Sequence, residues 1–269
     1  LHSLVVKSIE AVGGSGIAFF EYIGGLVLLL LESLVWMMRG AIFRVRLIIH
    51  QAASLGVNST AIVLITTAFT GAVISLQLAA MAVRYGAGRF VGGGVAIAMA
   101  RELAPMLTAI VVAGRAGSAI TAEIGSMKVT EQIDALEAMA TSPVKYLVVP
   151  RLISCSVMIP MLCLFAMLAG VLGGGVVAKM IADINYNVYF DSIPNMMQTK
   201  DIYKGIFKAF IFAIQIALIS CYQGLHTRGG AAGVGISTTG SVVYSMLIVF
   251  ITNFFLTAIL FPHGGRGLW

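Results

Sequence analysis

Close to the middle of an apolar run stand two charged neighbours, Arg101 and Glu102, followed by Leu103, Ala104 and Pro105. A charge at such depth costs ~2.5–3.5 kcal/mol on membrane-insertion scales, so it must face a cavity or a partner. Successive residues of a helix point ~100° apart, so the two need not pair with each other. Pro105 has no N–H to offer the carbonyl of Arg101, which leaves an acceptor free there and permits a kink. Two readings follow for the pair. It is a polar wall of a substrate cavity, with Arg101 contacting an anionic headgroup, or an ion pair locking this helix to a neighbour.

A second group of charges lies further along, in residues 121–140. Val129, Ile133, Leu136 and Ala140 keep one apolar helical stripe, while Glu131, Asp134 and Glu137 share another face. Glu123, Glu131, Asp134 and Glu137 against Lys128 give the segment a net charge of −3. Basic amphipathic helices bind membranes, and an acidic one suits a protein partner or plain solvent. Ser142-Pro143 supplies an N-cap and first-turn proline for the next helix, so the acidic helix must stop before it.

Other chemistries find no support. No G-x-x-x-x-G-K-[ST] loop is present, and Gly92-Gly93-Gly94 has no lysine behind it, so energy from nucleotide must come from another chain. The histidines at 2, 50, 226 and 263 show no ligand spacing, so no metal site is expected. Cys155, Cys163 and Cys221 sit in apolar runs without CxxC spacing, which indicates neither disulfides nor zinc. No nucleophile–base pair can be argued, and the chain is not expected to be an enzyme.

The elements that must carry these residues are membrane helices. The 269 residues are 59% hydrophobic and 10% charged, with a mean hydropathy of +0.99. Soluble domains carry about 25% charged residues, and no core of this size hides so much apolar surface from water. A net charge of +6 then reflects basic loops near headgroups, not nucleic acid. Five runs are long enough to cross: 59–83, 91–120, 152–178, 205–222 and 236–261. Span two carries Gly92, Ala96, Ala100, Ala104 and Thr108 at every fourth position, a stripe where another helix can approach closely.

A shorter apolar run, Tyr22 to Leu31 between Glu21 and Glu32, suits a helix over 17–38 lying in the cytoplasmic interface; a true crossing is the alternative. Arg39, Arg44 and Arg46 follow this run, which is the reverse of a signal peptide. With that choice Arg39, Arg44, Arg46, Arg115, Lys128, Lys145, Arg151 and Arg228 are cytoplasmic. Arg84, Arg89, Lys179, Lys200, Lys204 and Arg266 are outside, a slight positive-inside bias. The segment Asp183 to Thr199 is the one sizeable polar loop outside, with no chemistry to assign. The chain begins at Leu1, so its natural start is expected upstream or trimmed, and the Gly264–Gly267 tail is too short for a domain.

The run Arg101-Glu102-Leu103-Ala104-Pro105, Gly114-Arg115-Ala116-Gly117-Ser118, Thr121-Ala122-Glu123-Ile124-Gly125, Met127 and Thr130-Glu131-Gln132-Ile133-Asp134-Ala135-Leu136 resembles the signature of MlaE/YrbE-type permeases. These are membrane subunits of ABC systems that move lipids between bacterial membranes. Leu76-Gln77 and Gly233-Val234-Gly235 also look familial. Leu78 stands where a glycine is expected, and the tail after Phe261 departs from the pattern.

The resemblance implies one all-α permease domain over 1–269: five spans, an N-terminal interfacial elbow helix and a cytoplasmic coupling helix at 121–140. It implies a homodimer in the bacterial inner membrane, bound to a cytoplasmic ABC ATPase dimer that holds ATP and Mg. A periplasmic MCE-domain protein would sit outside, and a small STAS-type regulatory subunit is a further expected partner. Phospholipid is the expected cargo. Arg101, Glu102, Leu103, Leu76 and Gln77 would line the lipid cavity at the dimer interface, and Arg115, Glu123, Lys128, Glu131 and Asp134 would couple to the ATPase. Read from the residues alone, an ion-coupled secondary carrier in which Glu102 titrates, and a membrane scaffold, remain alternatives.

Overall fold

The computed structural model describes residues 2–39 and 45–261, with side chains from Phe20 onward in the first helix. Arg44 and the glycine-rich tail with Arg266 lie outside the described residues. Every regular element among the described residues is helical. In chain order they are α1 (His2–Met38), α2 (Val45–Arg84), α3 (Gly88–Val129), α4 (Gln132–Ala138), α5 (Val144–Ala182), α6 (Tyr186–Met196), α7 (Thr199–Leu225) and α8 (Gly230–Leu260). Six stretches are long and apolar enough to cross a bilayer: Phe20–Met38 within α1, and all of α2, α3, α5, α7 and α8. Most helices overrun the apolar runs at both ends, whereas α8 starts earlier than its run and stops at Leu260.

The tightest packing joins α2 to α5. Ser59, Val63, Thr67, Gly71, Ser75 and Ala79 form a buried stripe of mostly small residues at fourfold spacing on α2. A Cβ at Gly71 would land on the carbonyl of Gly170, and one at Gly173 on the carbonyl of Ala68, so the two backbones touch. Lipid tails offer helices no hydrophobic reason to associate, and close van der Waals approach takes its place. The threonine hydroxyls of α2 are bonded within the helix, Thr67 to Val63 O at 2.7 Å and Thr70 to Thr66 O at 2.8 Å. Gly71→Leu is therefore expected to destabilise the permease by about 3 kcal/mol or more, the upper range of overpacking. Loss of the monodisperse peak in detergent would register it, and an unchanged melting temperature would contradict the seam.

In α3 the predicted stripe is buried throughout, and Ala100 lies against Gly205 of α7. The helix contains two π-turns, Met99–Leu103 and Ala113–Gly117. The first contains both charged neighbours and ends just before Pro105, where the regular bond ladder is already interrupted.

The acidic segment is not one helix over 121–140. α3 runs on to Val129, Thr130 leaves helical geometry, and Glu131 takes φ 60°, in the left-handed region. The seven-residue α4 then starts in a new direction, with Ile133 buried and Glu131, Asp134 and Glu137 exposed. The apolar periodicity carries across the corner and so hides it from the sequence. Ser142 caps the following helix through its hydroxyl, which accepts from Lys145 N at 3.4 Å.

The polar loop at 183–199 forms α6. Asn185 caps it by accepting from Asn187 N at 3.1 Å. Ser192 Oγ accepts from Gly93 N at 2.8 Å, and the buried Tyr189 hydroxyl donates to Val171 O at 3.1 Å. Burial pushes the Tyr189 pKa up, so the hydroxyl stays a donor.

Among the described residues, α1 packs where α5 begins and α7 finishes, and Tyr22 also meets Tyr244 of α8 with centroids 5.2 Å apart. Tyr22 packs edge-on against Tyr222 with centroids 5.2 Å apart, and Lys145 Nζ lies 5.0 Å from the Trp36 ring. Fourteen residues separate Tyr22 from Trp36, a helical rise of about 21 Å.

Candidate functional site

Arg101 and Glu102 leave α3 in different directions, and each finds an opposite charge on α7. Arg101 Nε donates to Asp201 Oδ1 at 2.9 Å, and Lys208 Nζ meets Glu102 Oε1 at 2.9 Å. Asp201 is fixed in the first turn of α7 by a capping box with Gln198. Lys208 is fully buried and its ammonium uses all three donors: Glu102 Oε1, the Arg101 carbonyl at 2.9 Å and Thr257 Oγ1 at 2.8 Å. The carbonyl that Pro105 leaves without a backbone donor is thus satisfied by a lysine from another helix.

The end of α8 completes the site. Asn253 Nδ2 donates to Glu102 Oε2 at 3.0 Å, and Thr257 Oγ1 donates to Oε1 at 2.8 Å. Phe261 lies under the cations, 4.9 Å from Arg101 Cζ and 4.7 Å from Lys204 Nζ. Two acids balance Arg101 and Lys208, and Lys204 adds one positive charge, so the site as a whole is cationic. Burial is uneven: the Asp201 and Lys208 side chains are 4% and 0% exposed, those of Arg101 and Glu102 38% and 35%. Among the described residues neither Nη of Arg101 has an acceptor, so that edge of the guanidinium is open. All these partners lie toward the ends of α7 and α8 away from α1, so the site sits near that face and not at mid-depth.

Sequence reading passed over Lys208, although a lysine inside a predicted span carries the same signal as Arg101. Asp201, Asn253 and Thr257 were also missed; each is a polar residue one or two turns inside a helix end, where flanking loops mask the anomaly. Of the other expected lining residues, Leu103 packs against the core, while Leu76 and Gln77 lie exposed on α2. No hydrogen bond or ion pair joins Gln77 to the charged site among the described residues.

Of the expected coupling residues, Glu123, Lys128, Glu131 and Asp134 lie toward the opposite end, while Arg115 sits midway between Arg101 and the end of α3. Lys128 Nζ meets Asp134 Oδ1 at 2.7 Å across the α3–α4 corner, and Glu131 is exposed at its apex. Arg115 Nη1 reaches Ser59 Oγ at 3.4 Å. Glu123 points inward to Arg151 of α5, Oε2 to Nη2, at 2.8 Å.

Comparison with known proteins gives these positions a context. The profile of the family described as Permease MlaE matches residues 48–259. A probable ABC transporter permease protein of Synechocystis is 46% identical over 81% of this chain and 82% of its own length. One of Rickettsia felis is 36% identical over 96% of this chain and 99% of its own. The chloroplastic protein trigalactosyldiacylglycerol 1 of Arabidopsis thaliana is 37% identical over 82% of this chain and 63% of its own length.

Proposed function

The chain belongs to the MlaE permease family, and on that premise we propose that it moves phospholipid between the inner and outer membranes of a bacterium. As an ABC permease it is not itself catalytic and implies an ATPase partner. In this reading two copies form the membrane unit in the inner membrane and a cytoplasmic ATPase pair binds ATP and Mg. An MCE-domain protein receives lipid on the periplasmic side, and a STAS-type subunit regulates the complex. The carrying observation is the charged site: a guanidinium with an open edge, held on a buried, charge-balanced base. Guanidinium forms bidentate, charge-assisted bonds with phosphate oxygens, and the apolar surface around the site suits acyl chains. A plant relative bearing the name of a galactolipid supports a lipid cargo.

Three hydrogen bonds, one of them from an ammonium, tie the Glu102 carboxyl to α7 and α8, which makes it part of the frame that holds Arg101. The test is native mass spectrometry of the permease purified in mild detergent. Wild type is expected to retain phospholipid and Arg101→Gln to lose most of it; equal retention would count against the site.

The five-span topology belongs to the same reading. Tyr22 on Tyr222 near the end of α7 and Trp36 beside Lys145 at the start of α5 support an interfacial elbow with α6 on the far side. The three native cysteines are buried, so labelling background is low. A cysteine at Asn187 is expected to react with an impermeant maleimide in intact spheroplasts, and one at Arg228 only after lysis. The reverse pattern would invert the topology.

A further inference from the structure

Arg151 is buried in the first turns of α5, at the end of the bundle that carries the acidic segment. Its Nη1 donates to Leu147 O at 2.9 Å and its Nη2 forms an ion pair with Glu123 Oε2 at 2.8 Å, while Nε has no acceptor among the described residues. A guanidinium keeps its charge at any accessible pH, so Glu123 is its counter-ion. Yet the Glu123 side chain is 55% exposed. An acid on the surface of α3 is therefore paired with an internal cation of α5. A cavity of about 190 Å³, lined in part by Gln51, Met127 and Pro150, adjoins the pair and leaves α3 room to shift against α5.

The pair lies in a continuous series of contacts. α4 is tied to the end of α3 by Lys128–Asp134, and Glu123 sits little more than one turn before Lys128. Arg151 belongs to α5, whose Gly170 packs directly on Met99 of the π-turn that carries Arg101 and Glu102. We propose that the Glu123–Arg151 pair is the strut through which displacement of the α3–α4 corner reaches α5 and then the charged site. Arg151 is a positioning residue in this coupling, acting through Glu123. The inference rests on the ABC-permease reading above. It also reassigns Glu123, expected from resemblance to couple directly to the ATPase, to an internal role.

The test uses the permease co-produced with its ATPase and reconstituted in phospholipid vesicles. Glu123→Gln, Arg151→Met and the double variant are compared for assembly, ATP hydrolysis and lipid moved per ATP. Glu123→Gln leaves a buried guanidinium without its counter-ion and is expected to melt lower, so each variant is assayed below its own melting temperature. There each single variant should assemble and hydrolyse ATP near the wild-type rate while lipid moved per ATP falls roughly 2- to 30-fold, the range for residues in coupling networks. The double variant should be no worse than the worse single, because the pair acts as one unit. A wild-type ratio in Glu123→Gln, additive losses in the double, or failure of Glu123→Gln to hold the ATPase would each overturn the strut. Wild type that hydrolyses ATP without moving lipid would instead overturn the permease reading, and that is seen before any variant is measured.

Discussion

Replacing Glu102 with leucine is expected to lower the stability of the permease by about 3–5 kcal/mol, the cost of leaving a buried charge without its partner. Lys208 is the charge concerned, since it is fully buried and has no other carboxylate in reach among the described residues. Adding Lys208→Met should recover most of the loss, because apolar side chains of similar volume replace a buried ion pair at little cost. The Arg101 carbonyl would remain without a donor, which limits recovery by roughly 1–3 kcal/mol. Thermal unfolding in detergent reads this directly, and equal stability of Glu102→Leu and wild type would remove the ion pair from the account. Arg101→Gln should behave differently. Glutamine can still donate to Asp201 and the fold should hold, while lipid transfer falls roughly 10- to 100-fold with the loss of charge-assisted bonds worth about 1.5–3 kcal/mol. The two readings of Arg101 and Glu102 from sequence thus divide between foundation and exposed edge.

Reversing Glu131 and Asp134 to lysine is expected to abolish association with the ATPase while insertion and folding survive. Both side chains are exposed, and the one ion pair lost, Lys128–Asp134, is a surface pair worth about 0–1 kcal/mol. Two reversals on one small acidic face shift its charge by four units, enough to turn attraction into repulsion for a basic partner surface. Co-purification at low and moderate salt measures the effect. A doubly reversed permease that still binds its ATPase would show that the corner is not the docking element. Glu131→Gly makes a useful control: it relieves the left-handed backbone and should not weaken the fold.

Composition and run length sufficed for the helical membrane class, because apolar surface on this scale has no other home. The orphan carbonyl at Arg101 was also legible, since proline's missing donor is a local covalent fact. Its partner was not, because Lys208 is more than a hundred residues away and only the packing of α7 on α3 brings it near. The corner at Thr130–Glu131 escaped for a different reason. Nothing local demands a left-handed glutamate, and the apolar stripe runs on across it. The α6 helix was hidden by its polarity, and its capping Asn185 was the available signal.

ATP-dependent transfer of labelled phospholipid between donor and acceptor vesicles by the permease–ATPase complex tests the lipid role of Arg101 most directly. Wild type is expected to transfer lipid only with ATP, and Arg101→Gln to lose roughly 10- to 100-fold of that transfer with hydrolysis retained. Transfer by Arg101→Gln at the wild-type rate would contradict that role.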